Sequence, residues 1–138
     1  MLSTTIHKKY VMNGVNKTDQ FLHENITWKR TLDFFMQENS FLKTRLSEVV
    51  DKEIDKNFIA QAEHFQNEFI LKDEYIHDIG RDIKEQEKNI QLAFTQKKIP
   101  DNKTCSKQEK LRNEMSYLEK ECSDLKNQFN KYLLTYEG

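Results

Sequence analysis

The chain has little of what bends or cross-links a polypeptide: three glycines, one proline and two cysteines in 138 residues. Gly and Pro punctuate turns, so their scarcity argues against an architecture of many short elements and for a few long helices. No excess of one charge sign is present either, the formal net charge being −1. That removes the basic footprint of a general nucleic-acid binder. No run approaches the ~20 consecutive apolar residues that a membrane-spanning helix requires. The opening MLSTTIHKKYVMNGVNK has no apolar h-region, so a secretory signal is not expected. A chain of this length suits one domain and leaves no room for a two-domain enzyme.

The two cysteines support an intracellular, cytoplasmic reading. Cys105 and Cys122 are 17 residues apart, which on one helix separates them by roughly 25 Å. A disulfide requires Cα atoms within about 7 Å, so they cannot bridge within the chain. With no CxxC spacing and no companion histidine they also make a poor metal site. Small apolar packing is expected for Cys122 and a free surface thiol for Cys105.

What the sequence has is periodicity. Apolar residues step by alternating fours and threes through Phe21, Asn25, Trp28, Leu32, Phe35, Asn39, Leu42, Leu46 and Val49. A second seam runs from Phe58 through Ala62, Phe65, Phe69, Lys72, Ile76, Ile79, Ile83, Gln86 and Ile90 to Ala93, and a third from Leu111 through Met115, Leu118, Cys122, Leu125, Phe129 and Tyr132 to Tyr136. A recurrence of 3.5 residues specifies amphipathic helices that pack along a shared seam. No period-two pattern competes, so the fold class is all-α.

Boundary residues give helices at about 19–51, 56–97 and 105–136, preceded by a partly flexible N-terminal extension over 1–17. Thr18 or Asp19 can cap the first helix and Asp55 the second. Lys97, Lys98 and Pro100 end the second, and Ser106 with Glu109 can form a capping box for the third. Short connections make successive helices antiparallel. Folding about residues 54 and 101 gives layers such as Leu32/Ile76/Leu125 and Trp28/Ile79/Cys122. The expected architecture is an antiparallel three-helix bundle of long coiled-coil-like helices spanning 18–138. The second helix should outreach the first at the Pro100 end, where Ile6, Tyr10, Val11 and Met12 of the extension could lie across it.

Polar residues interrupt the seams. Asn39 is expected beside Phe69 and Tyr132, its amide near the phenol. Lys72 is expected beside Phe35 and Phe129, near Glu38 and Tyr132. Such residues must be paired or reach solvent. They either line a pocket or, the preferred reading, set register and orientation as core polar residues do in coiled coils.

Among chemical motifs, Glu74-Tyr75-Ile76-His77 resembles one half of a carboxylate-bridged di-iron pattern, in which an ExxH pair supplies two ligands. That pattern requires a second such pair and two more inward glutamates, which are lacking. Ile76 and Ile79 occupy the seam, so Glu74 and His77 project outward, and His64 also lies off it. Ordinary surface polarity accounts for all three. No GxSxG elbow, phosphate-cradling Gly loop or HExxH is present, and catalysis and cofactors are not expected. Outward-leaning apolar residues are the stronger signal: Phe34 and Phe41 seven residues apart on the first helix, Ile70 and Leu71 on the second, and Leu134 on the third. A grouped set of this kind suggests a contact surface for self or another protein. A core stripe wider than a two-stranded seam is the competing explanation. Basic residues do not cluster around these aromatics, which disfavours base stacking.

The stretch Ala62-Glu63-His64-Phe65-Gln66-Asn67-Glu68-Phe69, with Arg81-Asp82-Ile83 later on the same helix and Leu42-Lys43-Thr44-Arg45-Leu46-Ser47-Glu48-Val49 before it, resembles a group of small uncharacterised helical proteins from Bacteroidota. The resemblance covers about residues 25–90 and implies a cytoplasmic helical protein without implying an activity, cofactor or site. Where that group places histidine before Asp82, this chain has Arg81. The sequence therefore supports a non-enzymatic interaction or scaffold protein that self-associates. A metal-binding bundle of ferritin-like or hemerythrin-like character, using Glu74, His77 and His64, is the alternative.

Overall fold

A computed structural model describes residues 13–52 and 55–137, with side chains over 17–52 and 55–135. It contains three helices, α1 (Asn13–Lys52), α2 (Lys56–Thr95) and α3 (Asn102–Glu137), of 40, 40 and 36 residues. Among the described residues there is no strand. The helices form an all-α three-helix bundle in which α2 packs closely against both neighbours while α1 and α3 approach each other more sparingly.

α1 begins earlier than expected. It starts at Asn13, and Thr18 is a buried residue inside the helix rather than its cap. α1 therefore matches α2 in length, and the proposed overhang of α2 does not exist. Its cause is the polar run Asn16–Asp19, which looked like a boundary but is carried through as helix. The expected path of Ile6, Tyr10, Val11 and Met12 lies outside the described residues.

The turn between α1 and α2 ends at Asp55, whose carboxylate accepts from the Asn57 and Phe58 amides at 2.8 and 3.3 Å, the N-cap expected from the sequence. The α2–α3 turn is tighter than expected. Lys97 adopts a left-handed φ of 56°, so that Lys97 N–H donates to Phe94 and Lys98 N–H to Ala93. That pair of bonds is a Schellman closure, usually built on glycine. Asp101, not Ser106, caps α3 by accepting from the Thr104 amide at 2.8 Å. Two Thr104 hydrogen bonds hold the Asp101 carboxyl below its ordinary pKa.

Because α2 stops at Thr95 and α3 starts at Asn102, the hairpin folds about a point near residue 98 instead of 101. α3 is displaced along α2 by about one turn. Leu32 and Ile76 accordingly share a cluster with Trp28, Ile79, Ile83, Leu111, Met115, Leu118 and Cys122, whereas Leu125 joins a separate one. The second cluster gathers Leu42, Leu46, Phe58, Ala62, Phe65, Phe69, Phe129, Tyr132 and Leu133 around Leu125 at the α1–α2 turn. The Trp28/Ile79/Cys122 grouping is present; the Leu32/Ile76/Leu125 layer is corrected.

Candidate functional site

Three sets of residues on this frame have chemistry beyond apolar packing. The first is a buried amide layer near the Pro100 end. Gln86 of α2 donates through Nε2 to the Thr104 carbonyl at 2.8 Å and to Gln108 Oε1 at 3.1 Å. Gln108 of α3 donates to Asn25 Oδ1 and Glu24 Oε1, both at 2.9 Å, and more loosely to the Phe21 carbonyl. One amide from each helix thus meets at the bundle axis. Asn25 Nδ2 is buried with no hydrogen-bond partner among the described residues, an arrangement that costs about 1–3 kcal/mol. Asn25 and Gln86 stand on the sequence seams, but Gln108 lies one step before the seam assigned to α3. Gln108 falls inside the expected third helix but outside its seam, which begins at Leu111, so the layer is not expected from the sequence.

Glu24 anchors the edge of this layer. Its carboxylate accepts from Arg112 Nε and Nη2 at 2.6 and 2.8 Å, a bidentate pair joining α1 to α3. Burial opposes the charge on Glu24, but the hydrogen bonds from Arg112 and Gln108, with the Arg112 charge, together hold its carboxyl below the ordinary value.

The second set is a charged belt between the two apolar clusters. Asn39 Nδ2 donates to Asp73 Oδ1 at 3.1 Å and Lys43 Nζ to Asp73 Oδ2 at 2.5 Å. Lys72 pairs with Glu68 at 3.4 Å, and Lys126 of α3 with Glu38 of α1 at 3.3 Å. The partners expected for Asn39 and Lys72 are corrected accordingly. The Tyr132 hydroxyl donates to the Phe58 carbonyl at 2.8 Å instead of meeting Asn39, and Glu38 serves Lys126 rather than Lys72. Cys122 faces this belt. Burial pushes its thiol up to about 11, so it is a neutral packing group at ordinary pH, not a nucleophile. Cys105 is half-buried, its thiol directed at the Pro100 carbonyl, and neither cysteine is bridged.

The third set is the outer apolar surface. Phe34 and Phe41 are 56% and 69% exposed, and Ile70, Leu71 and Leu134 are also exposed. Pairing fixes how each helix is rotated. On α1, Lys29 and Lys43 reach α2 while Glu24 and Glu38 reach α3. Phe34 and Phe41 lie one turn either side of Glu38 and so form an outward stripe beside α3. On α2, Ile70 lies one turn from Asp73, on the α1 side. Leu71 lies one turn from Tyr75, whose ring meets Tyr117 of α3. The structure therefore sets Phe34 and Phe41 on one stripe of α1, with Ile70 on the α1 side of α2 and Leu71 on its α3 side.

The metal candidates are also dispersed. Glu74, His77 and His64 are exposed, and His64 rests edge-on against Phe65. Among the described residues no three His, Cys, Asp or Glu side chains converge on one point. A groove of about 780 Å³ opens between α2 and α3 near Pro100. Its walls mix Lys107 with Asp82, which pair at 3.6 Å, and Asp101, already engaged as a cap. Exposed Leu92 and Ile99 line it, two apolar positions the sequence pattern did not single out.

Compared with protein-family models, curated proteins and solved structures, the chain matches none. No helix among the described residues is long and apolar enough to cross a membrane.

Proposed function

We propose that this chain is a non-enzymatic helical interaction module of the cytoplasm, whose coiled-coil-like bundle presents the outer stripe of α1 to a protein surface, first of all to another copy of itself. The observation that carries the reading is the pair Phe34 and Phe41, two large rings more than half exposed on one stripe of a well-packed helix. Phe34 touches the core only through Phe35, at 5.8 Å between ring centroids, and desolvating the exposed parts of the two rings against a partner is favourable. The amide layer and the charged belt serve the fold in this reading: they hold the three helices in one register, so the stripe is displayed on a rigid support.

Sedimentation equilibrium tests it. The wild-type chain should show concentration-dependent association, and Phe34→Glu with Phe41→Glu should abolish it while leaving helical content unchanged. A wild-type chain that stays strictly monomeric and captures no protein from its own cytosol through this stripe would overturn the proposal.

A further inference from the structure

The three junctions between helices carry cross-helix ion pairs on a common spacing. Between α1 and α2 they are Lys29–Glu87 and Lys43–Asp73; between α1 and α3 they are Glu24–Arg112 and Glu38–Lys126. At both junctions the second pair stands fourteen residues, two heptads, from the first on each helix. The α2–α3 junction starts in the same way, with Asp82 and Lys107 at 3.6 Å. Two heptads on, the corresponding residues are Glu68 and Glu121, an acid opposite an acid. Midway between, Glu114 stands opposite Tyr75.

Counter-charge is scarce at this edge. Lys72 pairs with Glu68 of its own helix at 3.4 Å, and Lys110 meets Glu114 only at 3.9 Å. Among the described residues Glu121 has no ion pair. It accepts the Tyr117 hydroxyl, and that hydrogen bond with the Glu121 charge holds the Tyr117 phenol above its ordinary pKa. The Tyr75 phenol is pushed up by burial and then by the charges of Glu114 and Glu121, so both carboxylates lie near its ring. Tyr75 is half-buried and Tyr117 57% exposed, and their rings meet edge-on with centroids 6.4 Å apart. A groove of about 490 Å³ opens along the pair and Glu114, and exposed Leu71 lies one turn from Tyr75. Aromatic faces attract weakly hydrated organic cations. A guanidinium lies flat on a ring and donates to a carboxylate at once, which an ammonium does less well. We propose that this edge of the α2–α3 junction is a notch for an arginine side chain of a partner protein, its guanidinium against Tyr75 and Tyr117 and donating to Glu121. The incoming arginine completes the unmatched rung as Arg112 does for Glu24, while apolar surface beside it covers Leu71. The notch is separate from the α1 stripe, so it stands or falls independently of self-association.

Titrating the full-length chain with acetyl-arginine amide, followed on the tyrosine ring resonances, tests this. The Tyr75 and Tyr117 rings should shift saturably, with a dissociation constant on the order of 10 mM for a single side chain, while the buried Tyr132 ring stays still. Glu121→Gln should weaken binding several-fold and Tyr117→Leu should abolish the Tyr75 shift, both with unchanged helical content by circular dichroism. Acetyl-lysine amide should bind several-fold more weakly. Phe34→Glu with Phe41→Glu should leave the titration unaltered. No saturable shift, a shift that sodium chloride reproduces at equal ionic strength, or an affinity indifferent to Glu121→Gln would each overturn the proposal. Tetramethylammonium binding as tightly as the arginine probe would overturn the assignment to arginine.

Discussion

The two halves of the bundle are stabilised by different chemistry. At the α1–α2 turn the core is aromatic: Phe58 and Tyr132 stack with centroids 4.8 Å apart, and Phe129 meets Phe69 edge-on at 5.2 Å and Phe65 at 5.4 Å. Toward Pro100 the core is aliphatic, built on Ile76, Ile79, Ile83, Leu111 and Leu118, and it is closed by the amide layer. Between them lies the charged belt of Asn39, Lys43, Asp73 and their neighbours. Interlocked rings give tight, geometrically specific packing. An aliphatic slab tolerates sliding, and it is there that hydrogen-bonded amides define the alignment. Where packing alone leaves register weakly specified, this chain places polar groups.

Trp28 allows the halves to be compared directly, because the only tryptophan sits in the aliphatic cluster. Phe129→Ala, which removes a fully buried ring at the other end, should cost about 3–5 kcal/mol. If the halves fold as one unit, Trp28 fluorescence and far-UV circular dichroism will show the same lowered urea midpoint. Separated transitions would break the bundle into two cooperative blocks at the belt.

The amide layer should respond next. Gln108→Leu leaves Gln86 and Asn25 short of partners and should cost about 1–3 kcal/mol. Replacing Asn25, Gln86 and Gln108 all by leucine should recover that loss or exceed wild-type stability. The triple variant should lose its single register, seen as broadened amide resonances or mixed oligomers. A stable, sharply resolved triple variant would show that the aliphatic half sets its own alignment.

Two smaller effects belong to the same end. Lys97→Gly relieves a left-handed backbone position at the Schellman turn and should add about 1 kcal/mol, read as a higher thermal midpoint. The Glu24 carboxyl has a lowered pKa in the fold. The unfolded chain therefore binds more protons across that window, and stability rises with pH through it. The contribution is complete above the ordinary value of 4.5 and is lost as pH falls through the lower folded value. Glu24→Gln should flatten the acid limb of the stability curve by less than about 1 kcal/mol, since the pair is part-exposed.

How legible this was depended on the kind of signal. The three seams located almost every core residue, because each 3.5-residue step records a burial decision made locally. Asp55 was readable for the same reason, a cap being a matter of three adjacent residues. The start of α1 at Asn13 and of α3 at Asn102 was not, since favourable packing carries helix through polar residues that would otherwise signal an end. That error displaced α3 by a turn in the expected layers and left Thr104 outside the helix, while Gln108 was missed because the third seam starts one step late, at Leu111. The partners of Asn39 and Lys72 depended on that alignment and on side-chain reach, neither of which a one-dimensional pattern contains. Phe34 and Phe41 were legible as outward residues; that Ile70 and Leu71 face elsewhere required knowing how α2 is rotated.

The odd number of helices has a geometric consequence. Glu24 pairs with Arg112 and Glu38 with Lys126, the same sequence interval each time, so α1 and α3 run in the same direction. Asn13 and Glu137 therefore stand at opposite tips of a strut roughly 55–60 Å long. Cargo tethered to the two tips would be held at a fixed spacing.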